Sequence, residues 1–204
     1  MKQELVVATK NKKKLSEIRD LLKGLDLKIT SLADYTDCPR IVENGKTFRE
    51  NAAKKAKRIA RFSGKLTLGE DSGLCVEALG GRPGIYSSRF SGKDKSDLKN
   101  NLKLLRLLGD LPLKKRKAHY VCAVALADKR GIIKVVEGRC NGLIGLEMRG
   151  KSGFGYDPLF IIPAYQKTFA ELGLKVKHGI SHRFRALRKS RVVIQKYIEQ
   201  HLRS

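Results

Sequence analysis

Apolar positions along the chain alternate between short continuous runs and a spacing of three to four residues, which predicts strands interleaved with helices. Residues 4–8 (ELVVA) read as a buried strand, and Thr9-Lys10-Asn11 as the turn after it. From 12 to 23, Leu15, Ile18, Leu21 and Leu22 fall at helical spacing, with Gly24 placed to cap the end. A second strand is predicted over 27–31 and a loop over 32–44. Thr47 and Glu50 have the spacing of a capping box, opening a helix with Phe48, Ala52, Ala56, Ile59 and Ala60 on its apolar side.

The stretch 66–92 begins with a short apolar run, continues into Glu70-Asp71, and then offers Ser72-Gly73 for a sharp turn. Three glycines and a proline in Gly80-Gly81-Arg82-Pro83-Gly84 exclude regular structure. A helix is predicted over 96–108, with Leu98, Leu102, Leu105 and Leu108 as its periodic face and Gly109 closing it. The basic run 114–117 reads as an exposed connection. Strands follow over 120–127 and 132–138, joined by a hairpin turn at 128–131. Residues 140–153 read as a glycine-rich loop, 159–162 as a β-like run, and Ser181 as the cap of a last helix reaching about Leu202. No repeat, low-complexity tract or linker interrupts the pattern, so the expectation is one α/β domain over 1–204.

Composition narrows the setting. At 204 residues and 41% hydrophobic content, the chain can bury a substantial core. No apolar run approaches the roughly 20 residues that span a bilayer, and the first residues lack the apolar region of a signal peptide. A cytoplasmic location is therefore expected. Cys38, Cys75, Cys122 and Cys140 form no C-x-x-C pair, which argues against zinc and, in the cytosol, for free thiols. Forty-four basic residues against 20 acidic give a net charge of +24, a field that attracts polyanions. Aromatics are 6% and tryptophan is absent, a poor composition for a dedicated nucleic-acid binder that stacks bases.

Three places carry candidate chemistry. Adjacent carboxylates at Glu70 and Asp71 repel one another, which a metal ion or shared proton offsets, and hard oxygen ligands suit magnesium better than zinc. The strand-to-helix turn through Thr9, Lys10, Asn11, Lys12, Lys13 and Lys14 suits a phosphate at a helix start, although the P-loop glycines are missing. Tyr156 and Asp157, at the entrance of a β-like run, can stack on a base and accept from its edge; His182 and Arg183, opening the last helix, suit an anion.

The chain resembles the inosine triphosphate pyrophosphatase (Ham1-like) family over nearly its full length. The motifs are ATKNKKK at 8–14, ENGKTFRENAAKKA at 43–56, EDSGLCVEALGGRPGIYSSRFSG at 70–92, GFGYDPLF at 153–160, KTFAEL at 167–172 and SHRFRAL at 181–187. Two positions depart from the family's habit: Lys10 stands where glycine is common, and Glu70 where many bacterial members carry aspartate. The resemblance implies a mixed twisted sheet flanked by helices, two lobes with a central substrate cleft, and a homodimer. It also implies Mg-dependent hydrolysis of ITP, dITP and XTP to monophosphate and pyrophosphate. Carried over by position, Thr9–Lys14 would bind the triphosphate and Lys55 would face it. Glu43 and Asp71 would hold magnesium, Asp71 with Glu70 beside it would supply the catalytic carboxylates, and Ser72 would contact substrate. Phe154, Gly155, Tyr156 and Asp157 would frame the purine with Lys177, His182 and Arg183. Two rivals are a Maf-like pyrophosphatase for modified pyrimidine or methylated nucleotides and a basic nucleic-acid-binding protein. Beside the enzyme, nucleic acid is expected only as a weak, non-specific partner.

Overall fold

The structure, a computed structural model, describes residues 2–202, the side chain of Leu202 excepted. In chain order it forms β1 (Gln3–Val7), α1 (Lys12–Leu22), β2 (Leu27–Ser31), α2 (Phe48–Ser63), β3 (Leu66–Val76), α3 (Asp97–Leu108), β4 (Lys117–Asp128) and β5 (Gly131–Ile144). Then come β6 (Phe160–Ile162), β7 (Lys167–Thr168), α4 (Phe169–Ile180) and α5 (His182–Leu202). The strands hydrogen-bond in the order β2-β1-β3-β4-β5-β6-β7. β1 is parallel to β2 and β3, whereas β6 is antiparallel to β5 and β7, so the sheet is mixed as expected.

Two compact units divide the chain, with boundaries inside β3, β4 and β5. The first runs to Asp71 and includes Cys122–Gly138 and the chain from Arg183. One face of its sheet puts Leu5, Val7, Leu66, Leu68, Cys122, Val124 and Leu126 against Ile18 and Leu22 of α1 and Ala186, Leu187 and Ile194 of α5. The alternate β4 residues Ala123, Ala125 and Ala127 meet Ala52, Ala56 and Ala60 of α2. Small residues on both sides let α2 lie close to the sheet. Gly69 of β3 is part of that closeness, because a Cβ there would stand 2.3 Å from the Ala52 carbonyl oxygen and 2.6 Å from the Ala56 nitrogen.

The second unit holds Ser72–Val121 and Arg139–His182. Its core joins Leu74 and Val76 of β3, Leu104 and Leu108 of α3, and Tyr120, Phe160 and Phe169. The three rings interlock, with centroids 4.6 Å apart for Tyr120 and Phe160 and 5.4 Å for Phe160 and Phe169.

Several elements differ from the sequence expectation. Ser72-Gly73 makes no turn: β3 continues through both to Val76, carried by apolar residues on either side. α3 buries Asn100, Asn101, Leu104 and Leu108, leaving Leu98 and Leu102 58% and 50% exposed. Backbone bonds orient it, since Asn100 Oδ1 accepts from Ser91 N at 2.7 Å and Asn101 Nδ2 donates to the Gly155 carbonyl at 2.8 Å. β5 extends to Ile144, into the expected loop. Its Gly142 serves close packing, because a Cβ would meet the Ile161 carbonyl at 2.5 Å and the Phe160 ring at 2.6 Å. α4 was not expected at all; Thr168 and Glu171 form its reciprocal capping box. Arg116, placed in an exposed run, is buried with its guanidinium on the carbonyls of Leu111, Gly145 and Gly109. Thr47 caps α2 as expected, but the return bond from Glu50 goes to Lys46 N.

Candidate functional site

In the first unit, the turn after β1 is built by its own side chains. Thr9 Oγ1 accepts from Asn11 N at 3.1 Å, and Asn11 Oδ1 accepts from Lys14 N at 3.2 Å as the N-cap of α1. Lys10, Lys12 and Lys13 are exposed around this helix start. Among the described residues, the non-glycine positions with positive φ are Lys95 and Gln166, so Lys10 stands in backbone open to any residue.

Lys14 Nζ lies 3.2 Å from Glu70 Oε2, and the other oxygen of Glu70 takes Arg183 at 3.2 Å. Arg183 also pairs with Glu17 of α1, and Cys122 Sγ donates to Glu70 Oε1 at 3.4 Å. The chain Glu17–Arg183–Glu70–Lys14 thus ties α1, β3 and α5 together. All but Lys14 are buried, which a guanidinium between two carboxylates makes tolerable. The two carboxylates hold the Arg183 guanidinium strongly protonated against the cost of burial. Burial, with the neighbouring Glu70, pushes the Cys122 thiol well above its ordinary range, so it is no nucleophile.

Asp71 points away from that chain, as alternate residues of a strand do. Its Oδ1 accepts from Lys55 Nζ at 2.9 Å and its Oδ2 from Asn51 Nδ2 at 3.2 Å. Lys55 also reaches Glu43 Oε2 at 3.0 Å and the Glu70 carbonyl at 3.0 Å. Asn51 Oδ1 in turn accepts from Gly45 N at 2.8 Å, fixing the segment that carries Glu43. Burial pushes the Asp71 carboxyl up, and the Lys55 charge only partly offsets it. Burial acts on Glu43 the same way, but there Lys55 wins and the carboxyl sits below its usual range. Lys55 itself is buried, yet Asp71 and Glu43 raise its affinity for the proton. Among the described residues no group of three or more His, Cys, Asp and Glu is placed to hold a metal.

In the second unit, Asp157 Oδ2 accepts from Lys177 Nζ at 2.7 Å and from Phe154 N at 2.9 Å. Lys177 Nζ stands 4.5 Å over the Phe154 ring. Gly153 has φ +83° and sits where a Cβ would be 2.1 Å from Asp157 Oδ2, so only glycine admits that carboxylate. Gly155 is held at both ends, its N donating to Asp97 Oδ2 and its carbonyl accepting from Asn101. Phe154, Gly155, Asp157 and Lys177 are therefore brought together. Tyr156 and His182 turn inward: the Tyr156 hydroxyl donates to the Ser87 carbonyl at 2.8 Å, and His182 stacks on Tyr120 with centroids 4.5 Å apart. Ser72, half-buried, follows Asp71 on β3.

Sequence reasoning missed Glu17, Asn51, Asp97, Asn101 and Tyr120 as supporting residues. Asn51 had a usable signal, a polar residue four positions before Lys55 on the apolar side of α2. Glu17 had another, an acid beside Ile18 on the buried side of α1.

Fold and geometry define a mixed-sheet α/β protein with a lysine-rich helix entrance and two carboxylates bridged by one buried lysine. The chain belongs to the Ham1 family, whose model matches residues 5–192. It is 46% identical over 198 residues to the dITP/XTP pyrophosphatase of Desulforamulus reducens, covering 97% of this chain and 98% of that protein. Among solved structures, a HAM1 protein from Coxiella burnetii superposes with a TM-score of 0.87 at 38% identity, over 95% of this chain and 99% of that one. The Staphylococcus aureus Ham1 protein gives 0.86 at 35% identity, over 96% and 100%.

Proposed function

We propose that this protein hydrolyses non-standard purine nucleoside triphosphates, ITP, dITP and XTP, to the monophosphate and pyrophosphate. The observation that carries the reading is the Lys55 bridge between Glu43 and Asp71 in a chain of this family. Hydrolysis of the α–β anhydride adds water to phosphorus, breaks the bond to the bridging oxygen and releases pyrophosphate. A base must take the water proton, and cations must neutralise the phosphates. Asp71 is the base; burial raises its proton affinity toward the working pH, where general-base catalysis is most effective. Lys55 orients Asp71 and faces the phosphates, and Lys14 with the α1 entrance holds the leaving pyrophosphate. Glu70, gripped by Arg183, keeps Lys14 in place.

Glu43 and Asp71 supply the hard carboxylate oxygens that suit a magnesium ion, which they would hold beside the Lys55 ammonium they share. Bound there, the metal would neutralise charge on the phosphate oxygens. Phe154 offers a ring to the purine, backed by Lys177, and backbone groups of the segment 154–157 not already held by Asp97, Asn101 and Asp157 would read the 6-oxo edge. His182, stacked on Tyr120, shapes that pocket, while Arg183 serves by position through Glu70 rather than by touching the base. A cytoplasmic homodimer completes the proposal, and sedimentation tests the dimer.

The deciding experiment is pyrophosphate release with magnesium across ITP, XTP, dITP, ATP and GTP, beside Asp71→Asn. Release from the first three, lost in the variant while nucleotide still binds, is the expected result. Equal release from ATP and GTP, or an active variant, overturns it.

A further inference from the structure

The net charge of +24 is not explained by the nucleotide chemistry, and α2 and α5 each carry six basic residues against one acid. α2 carries a single acid, Glu50, against six basic residues, of which Lys55 turns inward to Asp71 and Glu43. Lys54, Lys57, Arg58 and Arg61 recur at three- and four-residue spacing, so they form one stripe about 10 Å long on the side opposite the alanine contacts. All four are exposed. Lys54 donates to Asn44 Oδ1 at 2.8 Å, and among the described residues none of the four forms an ion pair. Glu50 Oε2 accepts from Lys46 N at the helix start, and among the described residues Glu50 forms no ion pair with the stripe.

Charge kept for solubility mixes both signs across a surface. Four unpaired cations in a row repel one another, and a partner with evenly spaced negative charge relieves that. At the end of the stripe, Phe62 follows Arg58 by one turn. It is 41% exposed, with its ring edge-on to Tyr35 at 5.9 Å. An aromatic beside a basic row is the arrangement that holds a nucleic-acid strand by its phosphates and one of its bases. We propose that the outer face of α2 binds single-stranded nucleic acid without sequence preference, its phosphates along Lys54, Lys57, Arg58 and Arg61 and a base on Phe62.

The test is fluorescence anisotropy of a labelled single-stranded RNA of about 20 nucleotides, titrated between about 50 and about 200 mM salt. Four phosphate contacts give a log–log salt slope of about −3, a loss of about 50-fold over that range. The combined variant Lys54→Gln, Lys57→Gln, Arg58→Gln, Arg61→Gln removes that slope and the low-salt binding. Its nucleoside triphosphate turnover is unchanged, which also shows that it folds. Phe62→Ala weakens binding about tenfold and leaves the slope as it was. An unchanged slope in the combined variant, no RNA binding by the native protein at low salt, or tighter binding to phosphatidylserine vesicles than to RNA overturns the proposal.

Discussion

Lys55 Nζ stands 2.9 Å from Asp71 Oδ1 while also 3.0 Å from Glu43 Oε2, so one buried ammonium joins a strand residue to a loop residue. Removing one partner of such a group leaves uncompensated buried charge, at a cost of about 3–5 kcal/mol. Lys55→Met is therefore expected to lower urea stability by an amount of that order and to reduce turnover by about 100-fold or more. Lys55→Arg does not restore either, because a planar guanidinium cannot reproduce the three bonds that the compact ammonium makes to Asp71, Glu43 and the Glu70 carbonyl. Near-native stability of Lys55→Met would sink this account of the bridge.

Gly69 has no side chain of its own to offer the site and directly precedes Glu70 on β3, yet it controls the bridge. A methyl at Gly69 would meet α2 backbone, the Ala52 carbonyl at 2.3 Å and the Ala56 nitrogen at 2.6 Å, and backbone cannot swing aside as a side chain can. Gly69→Ala is expected to push α2 off β3, destabilise the protein by about 1–3 kcal/mol and carry Lys55 away from Asp71. Thermal unfolding and pyrophosphate release should fall together; full activity at reduced stability would show that the spacing of α2 does not set the bridge.

Glu17 shares the Arg183 guanidinium with Glu70. Glu17→Gln keeps the shape but leaves the buried cation with one counter-charge, and stability is expected to drop by about 3 kcal/mol. Because Glu70 also holds Lys14, the KM for nucleotide should rise more than kcat falls. A variant with native stability and KM would mean that Glu70 and Lys14 keep their places without Glu17.

Much of this was legible in the sequence. ELVVA at the start, the Thr47 cap and the Asp128–Gly131 turn follow from local chemistry, which a single sequence displays. The expected turn at Ser72-Gly73 failed because pairing along β3 outweighed local turn preference. The leucine stripe of α3 misled for a related reason: Asn100 and Asn101, bonded to distant backbone, decide which side is buried. Family motifs located Asp71, Lys55 and Asp157, but not what each touches. That Arg183 grips two carboxylates depends on residues 17 and 70 meeting 183, a long-range fact that no local spacing encodes.

Asp128 closes the β4–β5 turn. Its Oδ1 accepts from Arg130 N at 2.8 Å and Gly131 N at 3.3 Å, and its Oδ2 from the Arg130 guanidinium at 3.2 Å. Burial pushes this carboxyl up, but the Arg130 bonds and charge and the Gly131 bond together hold it below its ordinary range. A carboxyl whose proton affinity is lower folded than unfolded stabilises the protein above the unfolded pKa of about 4, and that stabilisation is lost as pH falls through the folded pKa. Asp128→Asn keeps the turn bonds from Arg130 N and Gly131 N but removes the charge. It is expected to cost about 1 kcal/mol near neutral pH, with the gap between the two proteins closing as pH falls below about 4. Urea melts of both proteins across that range check it. A gap of constant size at every pH would mean that the turn geometry, and not the ionised carboxylate, is what Asp128 supplies.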